Sequence, residues 1–218
     1  MDGSMAIGLY RHAVTEENLA RQYVGWHDAP LVIAESLRLK EIAGRYPEYD
    51  LVFTSDLRRC RYTADLLFQD TPIIESPLLR EIHFGEWETK TYEELQGKRV
   101  YRNWLEDQSL PIPGGESLGV FEERLEQFWS NLFSDSHAPE VAANYIHRKH
   151  KDLRIAFVTH GGVIRYFLSK WVAETKAFWE WKIPFAEGYE LHWTAEEWRE
   201  KSRCSSLLEV PSTESPGG

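Results

Sequence analysis

Arg154-Ile-Ala-Phe-Val-Thr-His-Gly-Gly-Val-Ile-Arg165 decides how the chain is read. Arg154 to Thr159 is a short apolar run, the length of a buried strand. His160-Gly161-Gly162 interrupts it, and Gly162 to Val172 then carries helical spacing. A strand feeding a helix in this way presents an imidazole and free backbone N–H groups at the strand's C-terminal end.

The same order recurs outward from this stretch. Ala6-Ile-Gly-Leu-Tyr10 is a buried-strand run that ends in Arg11-His12, and Leu51-Val-Phe-Thr54 ends in Ser55-Asp-Leu-Arg-Arg59. Pro72-Ile-Ile74 is a third strand candidate, and Gly188 to Trp193 alternates like a final strand. Helical spacing places Leu31, Ala34, Leu37 and Ile42 inward over Leu31 to Tyr46, and Ala64, Leu66 and Leu67 inward over Arg59 to Phe68. Ser117 to Phe133 is amphipathic through Val120, Leu125, Phe128, Trp129 and Leu132, and Ala138 to Lys151 is a further helical stretch.

Strands alternating with helices predict an α/β fold, a three-layer α/β/α sandwich around a mainly parallel sheet. Ligands of such sheets bind outside the C-terminal ends of the strands. The 218 residues fit a single domain over 6–200, after a flexible N-terminus, 1–5. Residues 82–117 have weak periodicity, many aromatics and the turn punctuation Pro111-Ile-Pro-Gly-Gly115, which predicts a lid insertion of short helices. The Ser/Pro/Gly-rich tail, 201–218, reads as disordered.

A net charge of −10 argues against nucleic acid as a partner, and no apolar run approaches the length of a membrane span. Without a signal segment, and with only Cys60 and Cys204, the chain reads as cytoplasmic. Acidity by itself also argues against anionic substrates, yet three of these strand ends, after Tyr10, Thr54 and Thr159, deliver basic or imidazole residues. Two arginines and two histidines converging beside helix N-termini make a phosphate site. Neutral imidazole is a nucleophile near pH 7, and its attack on phosphorus would give a phosphohistidine. Arginines can carry the transferring charge without a metal or other cofactor. Glu81, in Leu79-Arg-Glu-Ile-His-Phe-Gly-Glu-Trp87, is the best-placed proton donor by context.

These residues carry a resemblance. Leu9-Tyr-Arg-His-Ala-Val-Thr-Glu-Glu-Asn18 with Gly25-Trp-His-Asp-Ala-Pro-Leu31 resembles the first signature of the histidine phosphatase superfamily, the phosphoglycerate-mutase-like proteins. Ser55 to Ala64, Leu79 to Trp87, Pro113 to Ser117 and Val158 to Arg165 resemble its other motifs, in order and at family spacing. The resemblance implies the three-layer fold and a phosphohistidine mechanism with His12 as nucleophile and Glu81 as proton donor. It implies a phosphate pocket of Arg11, Arg59 and His160, with Asn18, Thr15 and the Gly161 backbone as further donors. Arg21 and Tyr23, between the two halves of the first signature, complete the substrate-binding candidates. Ala13 stands where the family usually has glycine, and Thr89 where a glycine is common.

Mutases of the family hold a second acidic group with extra basic residues. Here Ile82, Tyr92 and Gly162 occupy positions where mutases carry polar or basic side chains, and Glu106-Asp-Gln-Ser-Leu-Pro replaces paired arginines. The chain therefore resembles the phosphatase branch, above all α-ribazole-phosphate and broad-specificity phosphatases, which the motifs do not separate, with sugar bisphosphatases as a further alternative. The expected function is metal-independent hydrolysis of a small phosphorylated metabolite. A phosphoglycerate-type mutase and a catalytically weak phospho-ligand binder are the alternatives. Tyr23, Trp26, Phe84, Trp87, Tyr101 and Trp104 suit a partly apolar or cyclic leaving group.

Blander readings stand beside these. Arg58 and Arg61 rival Arg59, Glu86 and Glu88 rival Glu81, and Glu81 could merely pair with Arg80. His147 and His150 read as a solvated basic face rather than a metal pair. Pro113-Gly-Gly115 is first of all a turn, and Phe178-Trp-Glu-Trp181 is a candidate homodimer patch.

Overall fold

The computed structural model describes residues 3–133, 152–173 and 176–211. In chain order its elements are β1 (Met5–Arg11), α1 (Glu16–Leu19), α2 (Ile33–Ile42), β2 (Leu51–Thr54), α3 (Arg58–Leu67), β3 (Ile73–Glu75), α4 (Tyr92–Leu95), α5 (Arg99–Glu106), α6 (Leu118–Leu132), β4 (Leu153–Thr159), α7 (Gly161–Trp171), β5 (Gly188–Trp193), α8 (Ala195–Glu200) and β6 (Ser206–Val210). The helical stretch expected over 138–151, with His147 and His150, lies outside the described residues. No helix among those described is long and apolar enough to cross a membrane.

Six strands form one sheet in the order β3-β2-β4-β1-β5-β6. The first four run parallel, while β5 and β6 add antiparallel at one edge. Side chains of a strand alternate between faces, and the core divides accordingly. Ile7, Leu9, Phe53, Ile155 and Phe157 pack in one cluster with α6 and α7 residues such as Leu125, Phe128 and Phe167. Tyr10, Val52, Ala156 and Val158 pack in the other with Leu39 of α2 and Cys60, Ala64 and Leu67 of α3. Two cores on two faces give the expected three layers.

The register positions the site. Arg11 pairs with Thr159 and Thr54 with Val158, so the parallel strands β1, β4 and β2 end at one level. The residues just beyond them, His12, His160 and Ser55, are thereby neighbours.

Several expectations change. The start is ordered from Ser4, whose N–H and hydroxyl both donate to Asp152, and Met5 fills the core because it pairs with Leu153 and Trp193. The tail is not disordered over 206–210. Ser206–Val210 satisfies the free edge of β5 as a sixth strand. With that neighbour β5 is buried nearly throughout rather than alternating. On α2 the inward residue is Leu39; Ala34 and Leu37 face solvent. Val120 of α6 is likewise exposed. Trp181 belongs to the core, so Phe178–Trp181 is not one surface patch. The 82–117 excursion has short helices as expected, and Trp87, Leu95, Tyr101, Trp104 and Ile112 anchor it into the larger core.

Ala13 is buried but does not have positive φ; the described non-glycine residues that do are Arg21, Thr89, Ala186 and Lys201. Thr89, at φ 63°, is therefore where a glycine is missed. A left-handed L-residue costs about 1–2 kcal/mol, and glycine's extra unfolded-state freedom returns about half of that. Thr89→Gly should raise the melting temperature by about 1–3 °C. An unchanged or lower melting temperature would show that Thr89 is not strained.

Candidate active site

His12 follows β1 and is 4% exposed. Its backbone N–H donates to the Thr159 carbonyl at 2.9 Å, which locks it to the end of β4. Its ring Nδ1 lies 2.7 Å from the Ala13 carbonyl. A carbonyl only accepts, so Nδ1 carries the proton and Nε2 keeps its lone pair. Burial and the Arg59 and Arg11 guanidiniums push the His12 imidazole well below its ordinary range. It is therefore neutral near pH 7.

His160 caps α7, with its ring centroid 5.2 Å from that of His12. Arg59 Nη2 donates to its Nδ1 at 3.3 Å, and its Nε2 lies 3.0 Å from Ser55 Oγ. The proton therefore sits on Nε2, directed to the hydroxyl. His160 too is pushed well below the ordinary imidazole range by burial, Arg59, His12 and Arg11. Cys60 Sγ packs 3.4 Å from its Nε2, and burial pushes the thiol up to about 12, which keeps it protonated.

Arg11 and Arg59 are anchored through their terminal nitrogens. Arg11 Nη1 donates to Ile183 O at 2.8 Å and the guanidinium lies 3.7 Å over the Phe185 ring. Arg59 donates to His27 O at 2.8 Å and Gly25 O at 2.6 Å. The Nε–H of each is buried without a protein partner. Two unsatisfied guanidinium donors, cationic and desolvated, suit phosphate oxygens. Burial lowers Arg11 to about 10, so it stays charged at neutral pH, and burial lowers Arg59 as well. The rivals are occupied elsewhere: Arg58 by Asp28 and Arg61 by Glu75.

Thr15 and Asn18 divide the work at α1. Thr15 is fully buried and forms a capping box with Asn18, so its hydroxyl serves the helix rather than the cavity. Thr15 N and Oγ1 both donate to Asn18 Oδ1, which leaves the Asn18 NH2 as the free donor. Arg11, His12, Asn18, Arg59, Glu81 and His160 together line a cavity of about 150 Å3. Gln22, which sequence reading passed over, also lines it. Arg21 is exposed and outside both cavities of the site; its left-handed backbone instead turns the chain after α1.

Glu81 stands opposite α7. Its carboxylate accepts from Ile82 N at 3.0 Å and Gly162 N at 2.9 Å. Arg80 is bound to Asp56, not to Glu81. Glu88 is spent on Trp26 N and Phe84 N. A Cβ on Gly162 would fall 2.3 Å from Glu81 Oε1, so a side chain there would displace the carboxylate.

A second cavity, about 410 Å3, adjoins the first and shares Tyr23, Glu81 and Phe84 with it. Its wall is aromatic, including Trp104, Phe121, Phe178 and Trp179. Tyr101 holds Tyr23 by an O–O hydrogen bond of 2.5 Å, and Trp87 supports Tyr101 from behind. Arg165, which sequence reading quoted but gave no role, contributes a cation to the wall. Its place one helical turn beyond Gly161, at the ligand-facing start of α7, was the available signal.

Comparison with known proteins places the chain in a family. Residues 7–205 match the profile of the histidine phosphatase superfamily (branch 1). The adenosylcobalamin/α-ribazole phosphatase of Salmonella typhimurium is 29% identical over 190 residues, covering 82% of this chain and 86% of that protein. A probable phosphoglycerate mutase of Serratia proteamaculans is 31% identical over 130 residues, covering only 56% of this chain and 60% of that protein. Among solved structures, the α-ribazole phosphatase of Shigella flexneri shares the fold at TM-score 0.76 and 22% identity, covering 98% of this chain and 100% of its own. A Thermus thermophilus protein reaches TM-score 0.64 at 28% identity, over 94% of this chain and 98% of its own. From motif to register to profile, the chain belongs to branch 1 of the histidine phosphatase superfamily.

Proposed function

We propose that the chain hydrolyses a phosphomonoester through a phosphohistidine on His12. One observation carries this reading: Glu81 lies on the boundary between the cationic cavity and the aromatic one. A phosphoryl group in the first and an organic group in the second put the bridging oxygen beside the carboxyl group. His12 Nε2 attacks phosphorus, and the ester P–O bond breaks. Glu81 gives its proton to the leaving oxygen. Water then enters, Glu81 takes one of its protons, and the P–N bond breaks to release phosphate. Arg11, Arg59 and the Asn18 NH2 hold the equatorial oxygens, joined by the Gly161 N–H at the start of α7. His160 keeps its Nε2–H toward Ser55 and adds polarity without charge.

The aromatic wall favours a leaving group with a planar apolar ring. The relatives named as α-ribazole phosphatases make α-ribazole phosphate the first substrate to try, and the two buried free cysteines suit a reducing compartment. Phosphate release should be scored on a panel that includes α-ribazole phosphate, sugar phosphates and phosphoglycerates. Acid quenching during turnover should trap a base-stable phosphoprotein, and EDTA should leave activity intact. Interconversion of 2- and 3-phosphoglycerate without phosphate release would instead establish a mutase. Binding without any hydrolysis would establish a phospho-ligand module.

A further inference from the structure

Glu81 belongs to neither a strand nor a helix; it follows the short turn Pro77–Leu79. A carboxylate on coil needs outside support to hold catalytic geometry, and the chain supplies it through one side chain of α6. Arg124 Nη1 donates to Leu78 O at 2.8 Å and Arg80 O at 3.0 Å, and Nη2 donates to Glu81 O at 3.2 Å. Nε and Nη2 also grip both oxygens of Glu116 at 2.9 Å. Glu116 in turn accepts from His83 N at 2.9 Å. Trp26 Nε1 adds a second donor to Glu81 O at 2.8 Å. The backbone on both sides of Glu81, from Leu78 to His83, is thus tied to one guanidinium–carboxylate pair.

The glycines of Pro113-Gly-Gly-Glu116 let this pair form. Glu86 N donates to Pro113 O and Glu116 N to His83 O, each at 2.9 Å. A Cβ on Gly115 would lie 2.2 Å from His83 O, and one on Gly85 would lie 2.3 Å from Pro113 O. Only two bare backbones can come this close. None of the four turn residues lines either cavity of the site. The turn delivers Glu116 to Arg124.

We infer that Arg124 and Glu116 are positioning residues for Glu81, a clamp that sets where the acid stands between the two cavities. The inference rests on the proposed role of Glu81. The planar five-donor fork of arginine is what spans three carbonyls and a carboxylate; lysine, a point charge with three donors, cannot. A misplacement of about 1 Å can cost a rate factor near 100.

The test compares an alkyl phosphate, whose alkoxide needs a proton to leave, with p-nitrophenyl phosphate, whose phenolate does not. Arg124→Lys and the nearly isosteric Glu116→Gln should each lose kcat/KM, the measure of phosphoenzyme formation, at least about tenfold more on the alkyl ester than on the nitrophenyl ester. In a Glu81→Gln background neither should widen that gap further. A loss from a merely loosened fold would fall on both esters alike, and would add to that of Glu81→Gln; either pattern overturns the clamp. Glu116→Gln decides alone if Arg124→Lys fails to fold. Should Glu81→Gln by itself lose equally on both esters, the acid assignment falls and the clamp with it. If only the clamp variants lack the split, the clamp alone is refuted.

Discussion

Alanine in place of His12 should cut turnover by at least about 10⁴-fold, some 5.5 kcal/mol of transition-state stabilisation, and leave no phosphoprotein to trap. The size follows from what is lost. Arg11, Arg59 and Asn18 remain to bind phosphate, so KM should change far less than kcat. Water arriving in place of Nε2 must be deprotonated as it attacks, whereas the neutral imidazole has its lone pair ready. The substitution removes a ring that is buried between His160 and Phe185, at centroid distances of 5.2 and 5.8 Å. A melting curve should therefore accompany the rates. Turnover near the parent value in a folded His12→Ala protein would end the phosphohistidine mechanism.

The same ring makes the enzyme's pH response unusual for a histidine enzyme. Burial and two guanidiniums hold His12 well below its ordinary range, so its nucleophilic neutral form persists into acid. The acid limb of kcat/KM in the free enzyme should lie below the usual imidazole value, once the substrate's own phosphate ionisation is factored out. Stability moves the other way. The unfolded chain takes up protons on His12 and His160 below about pH 6.5, while the native state resists both. Each histidine should then lower stability by up to about 1.4 kcal/mol per pH unit as pH falls from there toward the native values. Urea midpoints between pH 7 and 5 would measure it, and midpoints independent of pH would contradict the buried neutral state.

Sequence legibility tracked how local each signal is. The runs at Ala6–Tyr10, Leu51–Thr54 and Arg154–Thr159 were readable because strands buried on both faces are continuously apolar. Their charged successors were readable because polar residues directly after such runs face the ligand edge. Ser206–Val210 was not, since an edge strand's contribution is backbone pairing that polar composition hides. On α2, spacing selects Leu37, yet Leu39 is the inward residue, because what decides is where α3 packs. Thr15 was misjudged for a different reason. Its spacing to Asn18 fits a helix cap as well as a phosphate contact, and the cap prevails. Arg124 was least visible of all. In sequence it is one more arginine on an amphipathic helix, and its partners lie 8 to 46 residues away.

Glutamine in place of Glu81 should lower kcat/KM, which reports phosphoenzyme formation, on an alkyl phosphate by about 10²–10⁴-fold, the usual worth of general acid catalysis, and on p-nitrophenyl phosphate far less. The difference between the esters carries the argument. Gln keeps the length of Glu but offers one acceptor oxygen where two N–H groups, of Ile82 and Gly162, each now meet a carboxylate oxygen. One of those amides would face the new NH2, so some displacement and a modest loss are expected on both esters. That shared loss cannot depend on the leaving group. The remainder must, because an alkoxide departs poorly without a proton and a nitrophenolate departs well. Plotted against leaving-group basicity, log kcat/KM should fall more steeply in Glu81→Gln than in the parent. The trapped phosphoprotein should also persist longer, since the same carboxylate activates the hydrolytic water in the second step. Parallel lines for the two enzymes would mean that the proton comes from elsewhere. Among the residues lining both cavities, no other carboxyl group stands ready to supply it.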